Sequence, residues 1–362
     1  MNKHLDLYTD YLQICFSQAT ATSLSSMLDG SLSHDVITDL LSKNEFSSKD
    51  LWLESKNLVR THQNENACLI FDDTIVEKPH TDQNEIVSWY YDHKTGKSVK
   101  GINILTAFYH TLGQGQEMPL RIPVGYEIIH KNLYYSDLTT KKEIRKSSRT
   151  KNEYLQELFV QAINNQLLFK YVLADSWYCS SDNMKFIHKK GKFFIFDIKS
   201  NRLACFEKST KNTVFQRLDQ IDLAQNIPTL LYLKDLSIPI LLCKQIFKNE
   251  NGTIGIRYLA SNDLNLNAAE FDQIYNKRWS IEEYYKSSKQ NTALGKSPTK
   301  TIITQKNHVF SSFLAYIKFE KLKFSEKLNH FALKSKLYLA AIKAAYLELS
   351  TIKSKKNSLN QA

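Results

Sequence analysis

The strongest constraint on how this 362-residue chain can fold is an order of short apolar runs. ACLIFDD (67–73), VSWYYD (87–92) and INILTAFYH (102–110) follow one another, each bounded by polar residues, which predicts three consecutive strands. A basic run, KKEIRKSSRTK (141–151), leads into a helical segment, EYLQELFVQAINNQ. A fourth strand, FKYVLAD (169–175), a helix around Ser181 to His188 and a fifth strand, KFFIFDIK (192–199), come next. The order β-β-β-α-β-α-β calls for an α/β fold with one mixed sheet flanked by helices.

Other segments surround that pattern. Residues 1–66 read as helical: LDLYTDYLQICF has apolar residues at helical spacing, and LSHDVITDLLSK follows Gly30 with Ser33 as N-cap. Two helices across a Gly turn are expected to form either a helix-turn-helix-like DNA-binding unit or a plain support domain. Residues 200–265 hold strand-like runs, TLLYLKD, IPILLCKQIF and IGIRYLAS, with a polar turn KNENGT, so a β-rich insertion separates the first part of the core (67–199) from a helix in 266–300. From 301 to 362 the chain is helical and basic, ending in a frayed tail, IKSKKNSLNQA.

Lys+Arg 48 against Asp+Glu 37 gives a net charge of +11, which points to a polyanionic partner. Five cysteines without a CxxC pair indicate neither a disulfide framework nor a zinc knuckle and fit a reducing cytosol. The first residues, MNKHLDLYTDYLQICF, carry no long apolar core, and no run approaches membrane-spanning length, so an unexported protein free of the membrane is expected.

The helix in 266–300 carries YNKRWSIEEYYKSSK, where Tyr275, Arg278, Glu282 and Lys289 stand at offsets 0, 3, 7 and 14. On one α-helix these fall at roughly 0°, 300°, 340° and 320°, a single stripe beside an apolar seam of Ile274, Ile281 and Tyr285. Glu282 and Lys289 are then about 10 Å apart and Tyr275 and Lys289 about 21 Å. That span suits a polymer with repeating charge, a carboxylate doing chemistry while Arg278 and Lys289 hold phosphates. The plain alternative is an amphipathic surface helix with i,i+4 pairs such as Arg278 to Glu282.

Two aspartates join Glu282. Asp72 and Asp73 follow the apolar run of the first strand and Asp175 follows YVLA of the fourth, at the strand ends where open α/β sheets present reactive groups. If those strands are neighbours, Asp73 and Asp175 meet at one edge and Glu282 completes the group. Three close carboxylates repel unless divalent cations lie between them, and hard oxygen ligands select Mg²⁺ or Mn²⁺. Two such ions can activate a water or a 3′-OH and stabilise the leaving oxygen of a phosphodiester. Trp177, Trp89 and Tyr178 are either base-stacking or core aromatics. His80, His93 and His110 have no metal-ligand spacing.

With these residues in view, the strand order resembles the RNase H-like fold, and the chain resembles the DDE transposases of bacterial insertion sequences. Tyr275, Arg278, Glu282 and Lys289 match the Y-(2)-R-(3)-E-(6)-K signature of one group of them at every position, with Trp279, Ile281 and Glu283 also fitting. The first family aspartate usually precedes Thr after a strand, which Asp73-Thr74 satisfies, with Asp72 as the alternative; the second corresponds to Asp175. The resemblance implies that Asp73, Asp175 and Glu282 bind two Mg²⁺ or Mn²⁺ ions and that Tyr275, Arg278 and Lys289 contact transposon-end DNA. It further implies cut-and-paste transposition at terminal inverted repeats, a homodimer on double-stranded DNA, and a place in the bacterial cytosol beside the nucleoid. The alternatives are a nuclease of the same fold that cuts without rejoining and a non-catalytic DNA-binding relative. A two-carboxylate glycosidase explains neither the basic surplus nor the long stripe.

Overall fold

The computed structural model describes residues 2–92, 95–113, 115, 117–139, 141, 143–208, 213–249 and 252–359, so His93 and the last three residues of the tail lie outside the described residues. Among the described residues four helices come first, α1 (Lys3–Ile14), α2 (Ala21–Met27), α3 (His34–Lys43) and α4 (Ser48–His62). Strands β1 (Cys68–Glu77), β2 (Val87–Asp92), β3 (Lys97–Thr111), β4 (Leu120–Ile128), β5 (Leu133–Ser136) and β6 (Glu143–Lys146) follow. Then α5 (Lys151–Asn164), β7 (Tyr171–Ala174), α6 (Ser181–Lys189) and β8 (Phe193–Ile198) alternate. Strands β9 (Leu203–Cys205), β10 (Gln216–Arg217), β11 (Thr229–Leu233), β12 (Pro239–Lys248) and β13 (Ile254–Ser261) precede α7 (Ala268–Asn276) and α8 (Trp279–Asn291). The long helices α9 (Ile302–Glu326) and α10 (His330–Leu359) end the order. No described helix is long and apolar enough to cross a membrane.

The chain divides into two compact units, 48–284 and 1–47 with 285–362. The sheet unit therefore begins at α4, ahead of the boundary expected at residue 66, and ends inside α8.

In the sheet unit, eleven strands run in the order β10-β9-β11-β12-β13-β8-β7-β1-β3-β2, with β4 also on β3. At its centre β1, β7 and β8 are parallel, and their apolar runs are buried as the interior of a parallel sheet requires. The remaining pairings are antiparallel. The residues expected to form an insertion make β9 to β13, which continue this same sheet: β13 pairs with β8 from Tyr258↔Ile198 to Ser261↔Ile195.

The expected trio of strands needs one correction. VSWYYD forms β2, but it pairs only with the first half of the 15-residue β3, while the second half pairs with LRIPVGYEI, that is β4, which the sequence pattern concealed. Pro123 and Gly125 make β4 look like a loop, yet Pro is tolerated in a strand bonded on one side only, and the register slips between Ala107 and Phe108 beside it. Where β2, β3 and β1 meet, Gly101 lies so close to β1 that a Cβ built there would stand 2.4 Å from the Val76 carbonyl oxygen.

A second correction concerns the continuous helix read through YNKRWSIEEYYKSSK. Helix α7 stops at Asn276 and α8 starts at Trp279. Between them the amides of Lys277, Arg278, Ser280 and Ile281 bond carbonyls three residues back, at 2.9–3.2 Å. This tight turn ends the ideal-helix angles and the 21 Å span at Arg278.

In the helical unit, α9 is buried along most of its length and receives α1 and α3. The Tyr8 hydroxyl meets His308 Nδ1 at 2.8 Å, Gln13 donates to the Ala315 carbonyl at 3.0 Å, and Asn307 donates to the carbonyls of Leu41 and Asn44 at 2.8 and 2.6 Å. Buried Glu320 is neutralised by Lys323 at 2.6 Å and faces His330 at 3.2 Å. Helices α1 and α3 thus pack on α9, and α2 packs on α3.

Because Val76 O belongs to the backbone of a central pairing, Gly101→Ala has to push β1 and β3 apart. We expect a loss of roughly 1–3 kcal/mol, read as a lower midpoint in urea or thermal unfolding.

Candidate active site

Strand alternation decides which acids can meet. In β1, Cys68, Ile70 and Asp72 point to one face of the sheet and Leu69, Phe71 and Asp73 to the other. Across the β1–β3 ladder, Ile70 is paired with Phe108 and Cys68 with His110, so these share a face. Phe108 stacks on Tyr284 of α8 with ring centroids 4.9 Å apart, and His110 Nδ1 meets Ser280 Oγ at 3.1 Å. The Asp72 face is therefore the face covered by α8, which carries Glu282. On the opposite face Asp73 accepts hydrogen bonds from Lys151 of α5 at 2.7 Å and from the Tyr178 hydroxyl at 2.5 Å. Asp73, expected beside Glu282, thus lies on the face away from α8, since neighbouring residues of one strand point to opposite faces.

The parallel register extends the row. Phe71 is paired with Ala174 and Ala174 with Phe196, so Asp72, Asp175 and Asp197 follow side by side; β1 continues to Glu77, so Asp72 lies in mid-strand and not at the strand end expected, while Asp175 directly follows β7 and Asp197 is the last residue but one of β8. Burial, with Asp73 and Asp175 adding to it, pushes the Asp72 carboxyl up to about 7. Burial also raises Asp175, and it raises Asp197 to about 6 despite the opposing Arg257 and Arg278. The cation of this row is Arg278, itself buried, which holds Glu282 at 2.9 Å and interacts with Asp72. Its guanidinium also lies 5.7 Å from the Tyr275 ring and 5.0 Å from the Trp279 ring. Among the described residues no three His, Cys, Asp or Glu side chains are close enough to hold a metal as they stand. The donor set of Asp72, Asp175 and Glu282 is nonetheless one of hard oxygens, the kind that suits a divalent cation, with burial as the main cause that raises Asp72 and Asp175.

The other expected contacts separate. Tyr275 is buried, 2% exposed, with its hydroxyl 3.5 Å from the Ala174 carbonyl oxygen, so it lies under Arg278 and does not face solvent where a phosphate would be. Arg278 is likewise committed to carboxylates, not open to solvent. Lys289 is exposed in the last turn of α8. Of the aromatics, Tyr178 is core, whereas Trp89 and Trp177 are half exposed.

Sequence reasoning missed Asp197 and Lys151, and it singled out Tyr178 without its bond to Asp73. The signal for Asp197 was present: FFIFD repeats the pattern of CLIFD and YVLAD, an acid after a buried strand. Lys151 and Tyr178 become visible only when α5 and the loop after β7 meet the second face of β1.

Asp72, Asp175 and Asp197 along one face of a mixed sheet, with Glu282 on the helix that covers it, make this an α/β protein with a carboxylate-lined sheet face. The chain belongs to the transposase DDE domain family, which matches residues 64–318. Among solved structures it is similar to the Drosophila P element transposase strand transfer complex, at 12% identity and a TM-score of 0.27, over 53% of this chain and 37% of that one. No curated protein matches it.

Raised acids bind protons in the folded state that the unfolded chain has already released, so their stabilisation is complete below pH 4 and is lost as pH rises through their folded values. We therefore expect the metal-free protein to lose on the order of 1–3 kcal/mol between about pH 4 and pH 7 through Asp72 and Asp197. Unfolding midpoints in chelator across that range should slope downward, and Asp72→Asn should flatten the slope.

Proposed function

We propose that this chain moves an insertion sequence by binding double-stranded DNA at the terminal inverted repeats, cutting both ends and joining them to target DNA. Membership of the transposase DDE domain family supports the reading. The observation that carries it at residue level is the sheet face shared by Asp72 and Glu282, with Asp175 one strand away. Its expected location is the bacterial cytosol, beside its DNA.

Asp72, Asp175 and Glu282 are the acids we assign to two Mg²⁺ or Mn²⁺ ions, with Asp72 in the role first read for Asp73. When bound, such ions supply an activated water or 3′-OH and stabilise the leaving oxygen. The chain's own part is to hold the acids ready. The β1–β7 register holds Asp72 beside Asp175, and Arg278 keeps Glu282 ordered and the row partly neutralised. Tyr275, beneath Arg278, keeps the guanidinium in that position. Asp73, bound by Lys151 and Tyr178, ties α5 and the loop after β7 to the end of β1. Lys289, exposed on the glutamate helix, is the side chain we assign to end-DNA phosphates. A second copy would act at the second end, and exposed Tyr338, Ile342, Leu349 and Ile352 along one side of α10 support a surface for it.

Asp72→Asn, Asp175→Asn and Glu282→Gln are each expected to lower Mg²⁺-dependent cleavage of end-containing DNA more than about a hundredfold while metal-free DNA binding persists. Asp73→Asn should retain much of the activity. An inactive Asp73 variant beside an active Asp72 variant would return the ligand role to Asp73, and cleavage without joined products would make the protein a nuclease.

The +11 charge predicts DNA affinity that drops steeply between low and moderate salt, since phosphate contacts release counterions. Lys289→Ala should make that slope shallower by about one phosphate contact and leave Mn²⁺ affinity unchanged; an equal loss of both would remove the lysine from the DNA.

A further inference from the structure

On the sheet face covered by α8, the row of β3 side chains reads Ile102, Ile104, Thr106 and Phe108, all fully buried. Thr106 interrupts an apolar run. Its place is set by the register, because Thr106 is paired directly with Asp72 across the β1–β3 ladder, whereas Ile104 and Phe108 on either side are paired with Thr74 and Ile70. Among the described residues the Thr106 hydroxyl has no hydrogen-bond partner.

A hydroxyl taken out of water without a partner costs free energy that valine, close to it in shape, would not cost. Strand propensity does not explain the choice, since valine and isoleucine suit a buried strand equally well. The unpaired hydroxyl is thus a donor for an acceptor on its own face, and the acceptor opposite it is a carboxylate. Side chains directly across an antiparallel pair have Cβ atoms about 4.5–5.5 Å apart, so a turn about χ1 of either one brings Oγ1 to a carboxylate oxygen. The Asp73 backbone N–H already donates to Asp72 Oδ1 at 2.8 Å, and the buried Arg278 interacts with the same group. A carboxylate has about four acceptor sites, so a further donor from β3 fits.

We propose that Thr106 is a positioning residue for the first acid: its hydroxyl donates to the Asp72 carboxylate in the cation-holding arrangement and, with the Asp73 amide, fixes which lone pairs face Asp175 and Glu282. The assignment rests on the reading of Asp72, Asp175 and Glu282 as cation ligands. A hydroxyl bonded to a charged acceptor gains more than one bonded to a neutral group, which offsets the turn of the side chain. Thr106 touches neither DNA nor the reacting atoms in this role; it acts through Asp72.

The test uses the full chain and Mn²⁺ alone as the probe, with affinity read from the paramagnetic resonance of free Mn²⁺ and stability from the unfolding midpoint in chelator. Wild-type protein is expected to bind Mn²⁺, and Asp72→Asn to weaken that binding. Thr106→Val, which removes the hydroxyl, should weaken it about tenfold while the metal-free midpoint stays level or rises. Thr106→Ser, which keeps the hydroxyl and loses a methyl, should keep most of the affinity and lower the midpoint. A threonine that only packs would move both readings together. Wild-type affinity in the valine variant, or equal losses of affinity in the valine and serine variants, overturns the positioning role and leaves Asp72 as a ligand. Mn²⁺ binding that survives Asp72→Asn overturns the ligand reading itself, and this assignment with it.

Discussion

The constraint on which the site depends is the crowding of carboxylates along one face of three parallel strands, Asp72 within β1, Asp175 just after β7 and Asp197 within β8. Asp72, Asp175 and Asp197 share one register and one face, and the buried guanidinium of Arg278 is the charge set among them. Burial raises these carboxyls, and neighbouring carboxylates add to the rise. The surrounding apolar runs of β1, β7 and β8 are what keep the row from moving apart.

Adjacent aspartates on one strand do two jobs because a strand has two faces. Asp72 faces the glutamate helix, while Asp73 ties down α5 and the loop after β7 through Lys151 and Tyr178. That loop also carries Trp177, whose amide is held by Asp175. The strands that continue the sheet beyond β8 bring Arg257 to the same neighbourhood: its guanidinium lies 5.0 Å from the Tyr275 ring and opposes the rise of Asp197. The added strands therefore contribute charge to the centre as well as extending the sheet.

The break between α7 and α8 has its own consequence. An unbroken helix would have set Tyr275 and Arg278 on the stripe with Glu282, all facing solvent and DNA. The tight turn at Lys277 instead buries Tyr275 against Ala174 and turns Arg278 into the acid row, so two residues of the four-residue pattern serve the carboxylates from within. Lys289, beyond the turn, keeps the solvent exposure that the pattern suggested.

Read alone, the sequence determined β1, β2, β3, β7 and β8 as strands, the acids that follow their apolar runs, the basic surplus and the spacing of Tyr275, Arg278, Glu282 and Lys289, because these follow from local periodicity and composition. It left β4 hidden, since Pro123 and Gly125 are tolerated only at an edge that pairing defines. It also left Asp72 and Asp73 unresolved: both follow the same apolar run, and only the side on which α8 lies decides which carboxylate faces Glu282. Asp197 and Lys151 acquire meaning in the same way, through register between strands and contact between distant segments. Side-chain identity is a property of position in the chain, whereas which groups meet depends on faces and registers that exist only once the sheet has formed.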